Sequence, residues 1–432
     1  MFVSECLSVN NQGRLTIGGK DTLELAAEFA TPLYVMDEGQ IRANYRQYMA
    51  SLQAYYGGKG IAAFACKAFC CKAMCVLAAE EGMALDIASA GELYTALEAG
   101  FPPDRMLLHG NNKPAAELAF AIKNDVGRIV ADNLQEIELI DQIAASLGKR
   151  QAVQLRIKPG VDPHTHEFVR TGQVDSKFGF TLHSGEALEA ARVAARMEHT
   201  VLMGVHCHIG SQIFDVQPFV LAAEIMMGFI ADIRDSLGVT INELNLGGGL
   251  GISYTQQDNP TGYDRYMQEV CGAIQKVCAE RAMDTPYIYL EPGRSIVGPA
   301  GITLYTVGAL KEIPGIRTYL TVDGGMTDNP RYALYGSRYT MVIANRAAAS
   351  ADKVYTVAGR CCESGDLLGK DVPLQEAKAG DILAVLATGA YNYSMASNYN
   401  RLPKPPVVFV QDGKARLVVK RQTMEDIIQN DL

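Results

Sequence analysis

Between residues 61 and 290 the chain alternates eight times between a short apolar run and, in most intervals, an alanine-rich segment of helical period. Few folds tolerate such a pattern. The runs are 61–66 (IAAFAC), 84–87 (ALDI), 105–109 (RMLLH), 128–131 (RIVA), 152–157 (AVQLRI), 201–207 (VLMGVHC), 241–246 (INELNL) and 286–290 (PYIYL). The intervening segments, among them 91–100, 114–124, 133–147, 184–197, 216–236 and 263–283, are each long enough for a right-handed crossover helix. Eight such strands predict a (β/α)8 TIM barrel, although a doubly wound sheet would alternate in the same way. After Glu291 the helical period fades. Strand-like runs at 301–311, 317–323, 339–343, 353–358, 381–388, 406–410 and 415–420, separated by Gly, Pro, Asp and Asn turns, predict a β domain of sandwich or barrel type. The first thirty residues are expected to pair with it, because chain ends of compact units often meet.

Composition narrows the partners. With 39 basic and 48 acidic residues the net charge is −9, and no basic run gathers phosphates, which argues against nucleic acid. The apolar stretch 61–79 is interrupted by Lys67 and Lys72, short of the roughly 20 continuous residues of a membrane helix, so no membrane association is expected. Met1-Phe2-Val3-Ser4-Glu5 lacks the basic start of a signal peptide and suggests the cytoplasm, where the ten cysteines would stay thiols.

In a barrel of this kind chemistry gathers at the carboxyl ends of the strands. Lys67 follows the first run, Asp86 ends the second, His109 the third, Arg156 nears the end of the fifth, His206 and His208 close the sixth, Gly247–Gly249 follow the seventh and Glu291 the eighth. A lysine leaving an apolar strand is partly desolvated, which suits a Schiff base, though a solvated lysine would read the same way. The Gly247-Gly248-Gly249 loop could bring backbone N–H groups to a phosphate, but it is neither a dinucleotide fingerprint nor a P-loop. Glu291-Pro292-Gly293-Arg294 offers a carboxylate for a pyridine nitrogen and a guanidinium for an anion. Cys66, Cys70, Cys71 and Cys75 lack iron–sulfur spacing because Ala73 breaks the triplet, and they read as small buried apolar groups. His206-Cys207-His208 is a poor zinc site and His164-Thr165-His166 reads as a polar loop, so no metal is expected.

Taken together, these residues resemble the pyridoxal 5'-phosphate (PLP)-dependent barrel enzymes of the alanine racemase and ornithine decarboxylase type, and more narrowly their diaminopimelate-decarboxylating branch. The matching segments include 64–68 (FACKA), 85–93 (LDIASAGEL), 160–180 (GVDPHTHEFVRTGQVDSKFGF), 205–212 (VHCHIGSQ), 247–249, 291–294, 331–335 (RYALY), 359–366 (GRCCESGD) and 389–393 (GAYNY). The resemblance implies a PLP-binding barrel over 32–295, with 1–31 plus 296–432 as the β domain, and a homodimer whose active sites are shared between subunits. It implies that Lys67 holds PLP, His208 stacks on its ring and Glu291 pairs with the ring nitrogen. Ser211, Gly248, Gly249 and the Gly293-Arg294 backbone would cradle the phosphate, with Tyr391 reaching it or the substrate. Asp86 would support the lysine, and Cys362 and Glu363 would enter from the second subunit. The family often has Asn two residues after the lysine and Pro after the arginine at 331; this chain has Phe69 and Tyr332.

The implied reaction is decarboxylation of meso-2,6-diaminopimelate to L-lysine and CO2, the last step of lysine biosynthesis, with Cys362 as proton donor. Cys361 is excluded on the expectation that neighbours on a strand face opposite ways. Charge supports this substrate: its far end carries an ammonium and a carboxylate, for which Glu363 on one side and Arg294, Arg331 and Tyr335 on the other are complementary. Ornithine, arginine or carboxynorspermidine are the alternative substrates, and a non-catalytic barrel homologue is the alternative class.

Overall fold

The computed structural model describes residues 2–162 and 176–432, so His164, His166 and the centre of the 160–180 motif lie outside the described residues. Contacts divide the chain into two compact units, Tyr45–Gly251 with Pro260–Gly293, and Met1–Asn44 with Ile252–Asn259 and Arg294–Leu432.

The first unit is a closed parallel barrel. Its strands are β1 (Gly60–Ala65), β2 (Ala84–Ile87), β3 (Met106–Leu108), β4 (Arg128–Ala131), β5 (Gln151–Lys158), β6 (Thr200–His206), β7 (Glu243–Asn245) and β8 (Tyr287–Leu290). Each one coincides with a run read from the sequence. Every strand pairs with the next, and β8 closes onto β1 with Ile288 opposite Gly60 and Leu290 opposite Ala62. The doubly wound alternative is thereby excluded, since an open sheet has two free edges. Helices follow the strands at Lys72–Glu80, Ala90–Glu98, Ala115–Lys123, Leu134–Ser146, Glu186–Arg196, Gln217–Leu237 and Tyr263–Glu280. Local chemistry sets their starts: Ser89 and Asn133 accept N–H bonds from Glu92 and Glu136, three residues on in each case. Alternate strand residues share the inner face. There Ala63, Ala84 and Leu107, with Ile61 and Tyr289, form one small apolar cluster, while β5, β6 and β7 contribute polar side chains.

The second unit is built on a mixed sheet in the order Leu367–Leu374, Lys353–Ala358, Arg317–Val322, Gly301–Ile313, Leu33–Asp37, Val407–Gln411, Lys414–Val419, to which Ile382–Leu386 and Met341–Ile343 add. The long strand Gly301–Ile313 serves two sets of neighbours, meeting Leu33–Asp37 and Ile382–Leu386 near its start and Arg317–Val322 near its end. Two strands depart from expectation. Leu33–Asp37 precedes the barrel in sequence, yet it pairs with Gly301–Leu304 and Val407–Val410, so contacts put the division after Asn44 where the sequence suggested 31/32. Leu367–Leu374 carries Gly369, Lys370, Asp371 and Pro373 and had no strand signature. The first residues form a three-stranded sheet of their own. They join the unit through packing: Leu7, Leu15, Ile17 and Leu25 share a core with Val35, Ile302 and Val408. Among the described residues no helix is long and apolar enough to cross a membrane.

Candidate active site

Lys67 stands in a 3₁₀ turn, Cys66–Ala68, directly after β1. Phe69, where the family often has Asn, is buried and closes the turn by donating its N–H to the Cys66 carbonyl. The Lys67 side chain is 47% exposed, and its Nζ lies 3.6 Å from Oδ2 of Asp86, which is buried on β2. From Asp86 the contacts continue inward. His109, after β3, has Nε2 3.6 Å from Asp86 Oδ1 and 2.9 Å from Glu291 Oε1, off the line of a hydrogen bond. Glu291 also meets His206 Nε2 at 3.1 Å and accepts from Asn245 Nδ2 at 2.7 Å. Lys67, Asp86, His109, His206 and Glu291 are thus joined by successive short contacts at the carboxyl ends of β1, β2, β3, β6 and β8, as the positions of polar residues after each strand predicted.

The electrostatics assign charge states. Burial pulls His206 down to about 4, so at neutral pH it is an uncharged imidazole. Among the described residues its Nδ1 has no partner, which leaves the ring proton on Nε2, facing Glu291. Burial alone would raise Glu291, but the two imidazoles overcome it and hold the carboxyl well below the usual range. The outcome is an anion. His208, partly exposed, is pushed down by desolvation and then by the Lys67 charge, so it too stays neutral. Arg156, buried on β5 and depressed mainly by desolvation, packs its guanidinium 4.1 Å from the Phe178 ring centre.

The glycine loop is shaped by close approach. Gly247 and Gly249 have φ of +66° and +131°, and a Cβ on Gly248 would collide with the Glu291 carbonyl oxygen. Glu291 in turn donates its N–H to Gly247 O at 2.7 Å. Gly293 lies against Ala65 and Ala68, where a Cβ would come within 3.0 Å of both methyl groups. Ser211 is half-buried in the loop after β6. These residues fit PLP: a partly exposed amine, a buried anion that suits a cationic ring nitrogen, and Cβ-free backbone for the phosphate.

The other sequence-predicted residues lie in the β unit. Arg294 is buried, and its Nη1 donates to Tyr254 OH at 2.5 Å. Its guanidinium carbon is 4.8 Å from the Tyr391 ring centre, and Tyr391 itself has φ +63°. Arg331 lies over the rings of Tyr335 and Tyr391, at 5.1 and 5.4 Å. Only 7% exposed, it has no partner at Nε and pairs with no carboxylate among the described residues. Cys361 and Cys362 sit in a bend between Lys353–Ala358 and Leu367–Leu374, so strand alternation does not apply to them. One is nonetheless buried and the other exposed, because Asp366 accepts the Cys361 N–H and Asn400 Oδ1 accepts that of Cys362. Glu363 is exposed beside it. Tyr254, Asn245 and Gln154 were not anticipated; the polar residues inside the apolar runs INELNL and AVQLRI were the available signal for the last two.

Residues 38–298 match the family described as pyridoxal-dependent decarboxylase, pyridoxal binding domain. The chain belongs to the pyridoxal-dependent decarboxylases. It is 50% identical over 432 residues to the diaminopimelate decarboxylase of Bacillus subtilis, covering 100% of this chain and 98% of that one. To the enzyme of that name from Staphylococcus aureus it is 47% identical, covering 98% of each. Among solved structures, a diaminopimelate decarboxylase from M. jannaschii in co-complex with L-lysine superposes with a TM-score of 0.94 at 35% identity, covering 100% of this chain and 99% of that one.

Proposed function

We propose that the protein decarboxylates meso-2,6-diaminopimelate to L-lysine and CO2, using PLP. The observation that carries the choice of substrate is Arg331, a buried guanidinium with two tyrosine rings and, among the described residues, no carboxylate beside it. Leaving such a charge unpaired is costly, and a substrate carboxylate relieves it in a way the bare ammonium end of ornithine does not. The relatives' names support the same substrate.

When bound, PLP supplies an electron sink for the pair left behind as CO2 departs. The chain's own groups do the rest. Lys67 Nζ provides the amine that holds the coenzyme, with Asp86 behind it. Glu291, anionic, would pair with the coenzyme's ring nitrogen, and the neutral His208 ring would pack against the coenzyme. Ser211, Gly248, Gly249 and the Gly293-Arg294 backbone bind the phosphate, with Tyr391 at its edge. Arg294, Arg331 and Tyr335 hold the distal carboxylate. Cys362 Sγ delivers the proton that replaces CO2, and Glu363 receives the distal ammonium. Both are exposed in this chain, which supports their entering from a second copy in a homodimer. The cytoplasm is the proposed compartment, in keeping with ten free cysteines.

The test is a substrate panel with PLP. Meso-diaminopimelate should yield equimolar CO2 and lysine; release of CO2 from ornithine or arginine instead would reject the substrate. Borohydride should fix the coenzyme to wild type and not to Lys67→Ala.

A further inference from the structure

The barrel lumen holds a directional chain of hydrogen bonds that ends on Glu291. At its far end Arg128 Nε and Nη2 donate to Glu243, the shortest contact being 2.6 Å. Glu243 Oε2 accepts from Gln154 Nε2 at 2.9 Å, and Gln154 Oε1 accepts from Asn245 Nδ2 at 3.1 Å. Asn245 Nδ2 gives its other hydrogen to Glu291 Oε1 at 2.7 Å, while its Oδ1 accepts the Gly247 N–H at 3.0 Å. Gln154 and Asn245 are completely buried. Room for them comes from Gly204: a Cβ there would stand 2.7 Å from Glu243 Cβ and 3.2 Å from Gln154 Cγ, and a register shift after Leu202 brings this glycine opposite Gln154.

A side-chain amide can sit either way round, and the two ways put opposite dipoles on its neighbours. Here neither amide has that freedom. Glu243, neutralised by Arg128, can only accept, so Gln154 must turn its NH2 toward Glu243 and its oxygen toward Asn245. Asn245 is then bound to present NH2 on both sides, and Gly247 fixes its oxygen. We infer that Gln154, Glu243 and Asn245 are positioning residues: they force an N–H donor onto Glu291 and thereby keep the shared proton on the coenzyme's ring nitrogen rather than on the carboxylate. The inference rests on the reading of Glu291 as the partner of that nitrogen. Among the described residues, the other groups around Glu291 are His206 at the end of β6 with Cys207 and His208 directly after it, His109 after β3 with Asp86 behind it on β2, and Arg156 on β5. Gln154 and Glu243 make no hydrogen bond to Glu291 itself, so substitutions there act only through Asn245.

The experiment uses holoenzyme reconstituted with PLP carrying ¹⁵N in the ring, whose nitrogen chemical shift distinguishes protonated from neutral pyridine. Gln154→Met, which keeps the volume and ends the relay, should change the ratio of ring-protonated to carboxylate-protonated forms about fivefold, as one hydrogen bond of about 1 kcal/mol does. The shift should move toward neutral pyridine at every pH where wild type is protonated. The paired variant Arg128→Leu/Glu243→Leu removes the acceptor end without stranding a buried charge and should move the shift the same way. A wild-type shift in either folded, coenzyme-loaded variant overturns the inference, even if thermal stability has dropped. Failure of wild type itself to bind PLP would instead overturn the reading of the site.

Discussion

Arg331 is a buried cation held by tyrosine faces, with no carboxylate to neutralise it among the described residues. A group kept for folding would be paired; one kept for a ligand waits at a cost to stability. Arg331→Met should therefore leave the protein as stable or raise it by about 1 kcal/mol, while kcat/KM for diaminopimelate falls by about 10²-fold or more, the loss expected when a bidentate charged contact is removed. Urea unfolding and steady-state kinetics on one preparation would read both. His206 gives a prediction in pH. Its folded value of about 4 lies below the ordinary 6.5, so the unfolded chain binds more protons between those limits. Its contribution to stability is complete above about 6.5 and is lost as pH falls through about 4. His206→Gln, which retains an N–H for Glu291, should flatten that part of the stability profile of the apoprotein in urea titrations across the window.

At the level of elements, the barrel was legible because every strand is a short apolar run bounded by turn residues, and closure needs only that eight occur in series. The polar strand ends were legible for the same reason. What escaped notice depends on partners distant in the chain. Leu33–Asp37 looks like a strand but gives no sign that it belongs with Gly301–Leu304 rather than with the barrel that follows it. Leu367–Leu374 pairs through register shifts beside Val357, with Asp371 at φ +55°, and such irregular pairing is what Gly, Asp and Pro allow inside a strand. Arg294, Arg331, Tyr335 and Tyr391 were each readable as candidates, whereas the stacking of the two guanidinium groups on those rings, and Tyr254 beside Arg294, were not. The loop between β7 and β8 supplies the prediction for this scale. Gly248→Ala drives a methyl group into the Glu291 carbonyl, so the loop must shift and carry Glu291 with it. Coenzyme affinity should fall at least tenfold by fluorescence titration, with a loss of roughly 1–3 kcal/mol in stability. Unchanged affinity would mean that the loop does not touch the phosphate.

For the whole molecule, the proposal that two copies share each active site has a direct check. Neither Lys67→Ala nor Cys362→Ala should turn over substrate well alone, but co-refolded chains should recover up to about a quarter of wild-type activity per total site, since in the mixed dimers one site collects both intact residues. No recovery would assign Lys67 and Cys362 to the same subunit. The division of the chain carries a further consequence for biogenesis. One unit is assembled from three separate stretches, and its early strand, LYVMD at 33–37, finds its neighbours only after residues 301–304 and 407–410 have left the ribosome. At bacterial or eukaryotic synthesis rates that delay is roughly tens of seconds. Throughout it, an adhesive segment of the nascent protein has no native partner, so truncation anywhere before residue 300 should yield chains that aggregate or engage chaperones even where the cylinder itself has closed.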